Sequence, residues 1–195
     1  MYSIPTSITI DGKQFNIRNK GDFRMVLDCF IALGDCDLDK TERVLTALII
    51  FYEDINDLED IAIFPDLECA IKEMYKFFNC GQDQCPGANV NYKLIDWEKD
   101  EQLICSAVNK VAGREIRLEP YVHWWTFMGW YTGVGESSLA TVVTIRSKIA
   151  KDKQLEKYER EFRIDNPQYF MWDSRTVEAQ EADKLARELW NSKKK

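Results

Sequence analysis

Residues Tyr121 to Gly133 read YVHWWTFMGWYTG, a run that holds three tryptophans, two tyrosines, a phenylalanine and the only histidine of the chain. No other segment constrains the fold as strongly. Wound as a helix, it sets Tyr121, Trp124, Trp125, Met128 and Tyr131 on one face, and Phe127 and Trp130 carry that face around the cylinder. A helix apolar almost all round must be covered on most sides, and each large ring can bury about 150–250 Å². The run is therefore expected to be the central helix of a core. It should open at Glu119-Pro120, since proline suits a first helical turn, and close at the glycines of GVGESS.

The flanking sequence supplies helices to pack against it. Asp22 caps a stripe of Phe23, Val26, Leu27, Phe30 and Ile31 that stops at Gly34. Asp39 and Glu42 form a capping box ahead of Val44, Leu45, Leu48, Ile49 and Tyr52. A third helix is expected from Pro65 to Asn79, with Leu67, Ala70, Ile71, Met74, Tyr75 and Phe78 facing inward. Asp96 should cap Leu103, Ile104, Ala107, Val108 and Val111, with Gly113 as terminator. Ser137 or Ser138 should cap LATVVTIRSKIA. Ahead of all these, SITIDGKQFNIR alternates around Asp11-Gly12, the signature of a tight hairpin.

The fold class is thus mainly α, a helical bundle-like domain with a small N-terminal β-hairpin. Its expected parts are 1–79, the hairpin with an acidic helical half; 80–92, a loop or hinge; 93–150, the aromatic-rich helices; and 151–195, a charged helical segment. In that last part Leu155, Tyr158 and Phe162 are the few core anchors, and Ala182, Leu185, Ala186, Leu189 and Trp190 line one side of a terminal helix. Leu185, Leu189 and Trp190 are the candidate partner-binding residues.

Charge narrows the functions. Residues 1–90 hold 8 Lys/Arg against 16 Asp/Glu, while residues 91–195 hold 18 against 17, which sums to the net −7 of the chain. Such a balance repels a phosphate backbone, so no nucleic acid is expected as a partner. No stretch approaches the ~20 apolar residues needed to span a bilayer, and no membrane partner is expected. The six cysteines, at 29, 36, 69, 80, 85 and 105, follow no secretory pattern. Cys80 and Cys85 alone have loop spacing, and zinc would require two further ligands from elsewhere. Neither a metal nor a cofactor is expected.

His123 is the one side chain titrating near neutrality, yet no phosphate loop, nucleophile elbow, H-E-x-x-H or dinucleotide fingerprint accompanies it. The acids Asp96, Glu98, Asp100 and Glu101 suit a helix N-terminus. No catalytic residue is expected, and His123 is read as a structural or hydrogen-bonding histidine within a motif of His123, Trp124, Trp125 and Phe127.

One run of residues points further. IDWEKDEQLICSAV, followed by LEPYVHWWTFMGWYTGVGESSLATVVTIRS, resembles the second half of a family of tail assembly chaperones from siphophages and prophages of Gram-positive bacteria. The distinctive element is His123-Trp124-Trp125-x-Phe127, supported by Asp96, Asp100 and Ile104 before it and Ile145-Arg146 after it. The opening hairpin and DFRMVLDCF fit as well, so the resemblance covers residues 7–165. It implies a non-enzymatic helical protein of the host bacterial cytoplasm, absent from the mature virion. Such a protein coats the hydrophobic tape measure protein and helps recruit tail tube subunits, and a homo-oligomer would add avidity along that client. The family also makes a longer product by frameshifting. Lys193–Lys195 are accordingly read either as a slippery site or as a solvated basic end that complements the last helix. A generic helical interaction module shares every feature read from the residues themselves.

Overall fold

The hairpin turn sets the start of the fold. Asp11 (φ 47°) and Gly12 (φ 79°) both take left-handed backbone, which matches a two-residue turn to the twist of its strands. In the computed structural model, which describes residues 3–83, 93–171, 180–182, 184 and 185, β1 (Ser7–Ile10) and β2 (Lys13–Asn16) pair antiparallel from Ser7–Asn16 to Ile10–Lys13. Ile8, Ile10, Phe15 and Ile17 point into the core. The outer edge of β2 is occupied at its end, because Glu53 N donates to Asn16 O (3.0 Å) and Asn16 N donates to an Asp54 carboxylate oxygen (3.0 Å).

Everything else is helical or irregular, and the fold is mainly α. The helices are α1 (Phe23–Leu33), α2 (Lys40–Phe51), α3 (Leu67–Phe78), α4 (Glu101–Ala112), α5 (Trp124–Thr132), α6 (Ser138–Ala150) and α7 (Lys157–Asp165). Asp22 caps α1, and Asp39 with Glu42 closes the capping box of α2.

The buried stripes are rotated from those read off the sequence. On α1 the covered residues are Phe23, Met25, Val26, Cys29 and Ala32, while Ile31 is 46% exposed. On α2 they are Arg43, Ala47, Leu48 and Phe51, with Tyr52 beyond the helix end. On α3 they are Ala70, Met74, Phe77 and Phe78. That helix is capped by Asp66, whose carboxylate accepts from Cys69 N (3.0 Å), and it begins at Leu67, two residues later than Pro65 suggested. Short residues such as Ala47 and Cys29 are covered because neighbouring helices approach closely there, a choice that periodicity cannot register.

Two starts differ more. Asp96 does not cap α4; it opens a preceding turn, accepting from Lys99 N (3.0 Å), and α4 begins at Glu101. The aromatic helix does not begin at Glu119-Pro120. Proline holds the residue before it extended, Glu119 is so (ψ 133°), and the chain stays extended through His123, which caps α5 instead.

The chain divides into two compact units, Met1–Pro86 with Val108–Val134 and Gly87–Ala107 with Gly135–Lys195. The division falls inside α4 and groups segments that are discontinuous in sequence. The core of the first unit is aromatic: the Phe51 ring meets Tyr52, Phe77 and Phe78 edge-on at 4.8 to 5.5 Å. The second unit is organised by charge. Arg146 and Asp100 form a bidentate pair (2.5 and 2.9 Å) with side chains only 5% and 1% exposed. Glu159, not Tyr158, is the inward residue of α7; its carboxylate accepts from Lys148 Nζ and Glu156 N (both 2.7 Å), and Tyr158 is 62% exposed.

Candidate functional site

The residues of the His-Trp-Trp-x-Phe motif meet three other segments of the first unit, and each has a separate task. His123 Nδ1 accepts from Trp125 N (3.0 Å), which makes the imidazole the cap of α5. With Nδ1 an acceptor, the proton of the neutral ring lies on Nε2, which donates to Pro5 O (3.0 Å). The ring is 2% exposed. Burial lowers its pKa; the Pro5 bond and the Asp22 charge oppose that shift. Both nitrogens are engaged with backbone, so a proton can be moved only by breaking the cap or the Pro5 tie.

Trp124 and Trp125 act on α3. The last carbonyls of a helix have no partner within it, and here two adjacent indoles supply donors. Trp124 Nε1 donates to Phe78 O and Trp125 Nε1 to Phe77 O, both at 2.9 Å. Phe127 stacks on Phe23 of α1 (centroids 4.7 Å, 3°) and on Trp124 (5.5 Å, 16°). Trp124 and Phe127 are 1% exposed, while Trp125 is half-buried.

Asp22 closes the joint. One carboxylate oxygen accepts from Arg24 N (3.0 Å), capping α1, and the other accepts from Val122 N (2.9 Å), a hundred residues away in sequence. Phe23 N donates to Val122 O (2.9 Å), and the backbones of Asp22 and His123 form an isolated antiparallel β-bridge. The segment before Asp22 is tightly prescribed. Asn19, Lys20 and Gly21 are all left-handed (φ 50°, 54° and 79°), and a Cβ on Gly21 would stand 2.7 Å from the Phe77 ring and 3.0 Å from His123 Nε2.

Three arginines do work that residue type alone did not announce. Arg18 donates to Ile49, Ile50, Tyr52 and Ile55 oxygens (2.6 to 3.1 Å), collecting the carbonyls at the end of α2. Arg24 reaches the carbonyls of Ile116, Arg117 and Glu119 (2.8 to 3.2 Å). Arg146 matches its five N–H groups to Asp100, Leu94 O and Tyr169 O. A guanidinium is suited to this, since it presents five donors and no acceptor.

Beside the joint, Phe78, Cys80, Trp125, Met128 and Thr132 line an open groove of about 740 Å³. Burial pushes the Cys80 thiol up, away from reactivity. Asn79, Gln82 and Asp83 line it as well, so the groove offers apolar contact beside polar and acidic groups. Cys85, the other half of the loop pair, lies outside the described residues, and among those described no three His, Cys, Asp or Glu side chains are grouped to hold a metal. Of the terminal candidates Leu185 is 58% exposed; Leu189, Trp190 and Lys193–Lys195 lie outside the described residues. No helix among the described residues is long and apolar enough to cross a membrane.

A family model described as Bacteriophage Gp15 protein matches residues 2–169. The chain belongs to that family. The Gp15 match takes in the hairpin, the arginine clasps and the whole His-Trp-Trp-x-Phe joint. Comparison with curated proteins and with solved structures returns no match.

Proposed function

We propose that this phage protein is a tail assembly chaperone, which keeps the tape measure protein soluble and helps recruit tail tube subunits in the host bacterial cytoplasm, and which leaves before the virion matures. The observation that carries the reading is membership of a bacteriophage family over residues 2–169, taken with the resemblance of the His123–Phe127 motif to such chaperones. Two physical features support it. The scaffold is mainly α, with open grooves in which apolar stripes of a helical client could be covered. Its net charge of −7 favours basic clients and discriminates against acidic ones. On this reading the protein holds its clients without chemistry, and it uses neither metal nor cofactor.

The test is co-expression with the tape measure protein encoded by the same phage. Soluble tape measure protein that co-purifies with this chain, and turns insoluble without it, is the expected outcome. Tape measure protein that is equally soluble alone, or that never co-purifies, overturns the reading.

A further inference from the structure

Hydrogen-bond parity leaves one strand edge open. Ile10 and Lys13 flank the two-residue turn and exchange bonds, so the alternation assigns the next bonded pair to Ile8 and Phe15. The continuation of the ladder agrees, since Ile17 N donates to Thr6 O at 2.9 Å. Ser7 and Thr9 therefore turn their N–H and C=O groups away from β2. No hydrogen bond to these backbone groups is made among the described residues, whereas the outer edge of β2 is tied at Asn16 by Glu53 and Asp54. The segment Thr6 to Ile10 carries no charge, the usual protection of an exposed edge.

The open edge does not face bulk water alone. It borders a groove of about 230 Å³ lined by Glu73, Lys76 and Phe77 of α3 and by Gly81 and Trp125. We propose that this edge and groove receive an extended, basic peptide segment of a partner protein as a third strand of the hairpin sheet.

Geometry and charge select that occupant. A groove of about 230 Å³ holds a few side chains, whereas a helix with its side chains is about 10–12 Å across. A lone strand fits, placing one apolar side chain against Phe77 and Trp125. Glu73 is only loosely matched: Lys76 lies 3.9 Å away and is shared with Asp83 at 3.7 Å. Asp11 and Asp66 add negative charge at the hairpin end, where with Glu73 they push up the Cys69 thiol after the larger effect of burial and Lys72 opposes them. Counting Glu73, Asp83, Asp11 and Asp66 against Lys76, Lys72 and Lys13 leaves one negative charge. An incoming lysine or arginine would meet a net acidic rim. The inference goes beyond the tape measure reading and does not depend on it.

The probe is a synthetic peptide of alternating valine and threonine flanked by lysines, followed by calorimetry and by amide hydrogen exchange of the full chain. Binding should slow exchange of the Ser7 and Thr9 amides. N-methylating the peptide on the edge it presents should weaken binding about tenfold or more, since each lost bond is worth about 1 kcal/mol. Thr9→Pro removes an outward donor without touching the ladder and should weaken binding similarly, with circular dichroism and melting showing that the variant is folded. Glu73→Lys should shift preference toward a glutamate-flanked peptide. Undiminished binding by folded Thr9→Pro, or equal binding of the N-methylated peptide, overturns the proposal. So does protection of Ser7 and Thr9 that rises with protein concentration alone, which would assign the edge to a second copy. Absence of any peptide-dependent protection overturns it too.

Discussion

At the scale of single residues, the histidine of the motif is a tie whose charge state matters to stability. Burial lowers the His123 pKa below its ordinary value near 6.5, so in the folded state the neutral form is favoured. As pH falls through 6.5 the unfolded chain takes up the proton first, and stability is lost until the folded pKa is passed. Melting temperature should therefore fall between pH 7 and pH 5. His123→Asn, which keeps a capping oxygen for Trp125 N but does not titrate, should flatten that part of the curve. Trp124→Ala should cost about 3–5 kcal/mol in urea unfolding, because it opens a cavity and strips the donor from Phe78 O. Apolar character made the burial of Trp124 and Phe127 legible in the sequence. The cap made by His123 was not, because the pattern is that of a helix starting at Pro120. Residues 121–123 are held by the β-bridge to Asp22, the bonds between Val122 and residues 22 and 23, and the His123–Pro5 tie, all of which come from the far end of the chain.

At the scale of elements, α3 and α6 end in the same way. Gly81 N donates to Lys76 O (2.8 Å) and Cys80 N to Phe77 O (3.0 Å); Lys153 N donates to Lys148 O (2.8 Å) and Asp152 N to Ile149 O (3.1 Å). This is the double closure in which the residue after the cap is left-handed, a position that favours glycine. Here Cys80 (φ 55°) and Asp152 (φ 50°) hold it. Replacing Asp152, which is exposed, with glycine should raise stability by up to about 1 kcal/mol in thermal melts, the relief of left-handed strain less the entropy of a freer unfolded chain. Gly21→Ala should do the reverse and cost more than about 1–2 kcal/mol, since strain is joined there by collision with Phe77 and His123. Caps and turns such as Asp22, Asp39–Glu42, Asp11-Gly12 and Ser137 were legible because they depend on residues within four positions of one another. The rotation of the α1 and α2 stripes was not, because it depends on which neighbours come close.

At the scale of the whole molecule, long-range polar ties do what local pattern cannot. Asp100 and Arg146 lie 46 residues apart and are nearly inaccessible. Leaving one charge buried without the other is expensive, so Asp100→Ala should cost about 3–5 kcal/mol. Asp100→Leu with Arg146→Met should cost less than the sum of the single changes, as read from a double-mutant cycle in urea. The sequence marks Arg146 through its resemblance and Asp100 as a helix-start acid, but nothing local pairs them. Elsewhere the same principle has a dynamic outcome. The final turn of α3 delivers two carbonyls to the indoles that open α5, so that turn cannot fray without releasing both tryptophans. Breathing of one helix end and the local environment of two fluorophores become a single event, and the emission of these two among the chain's six tryptophans is a clock for a motion that begins in another helix.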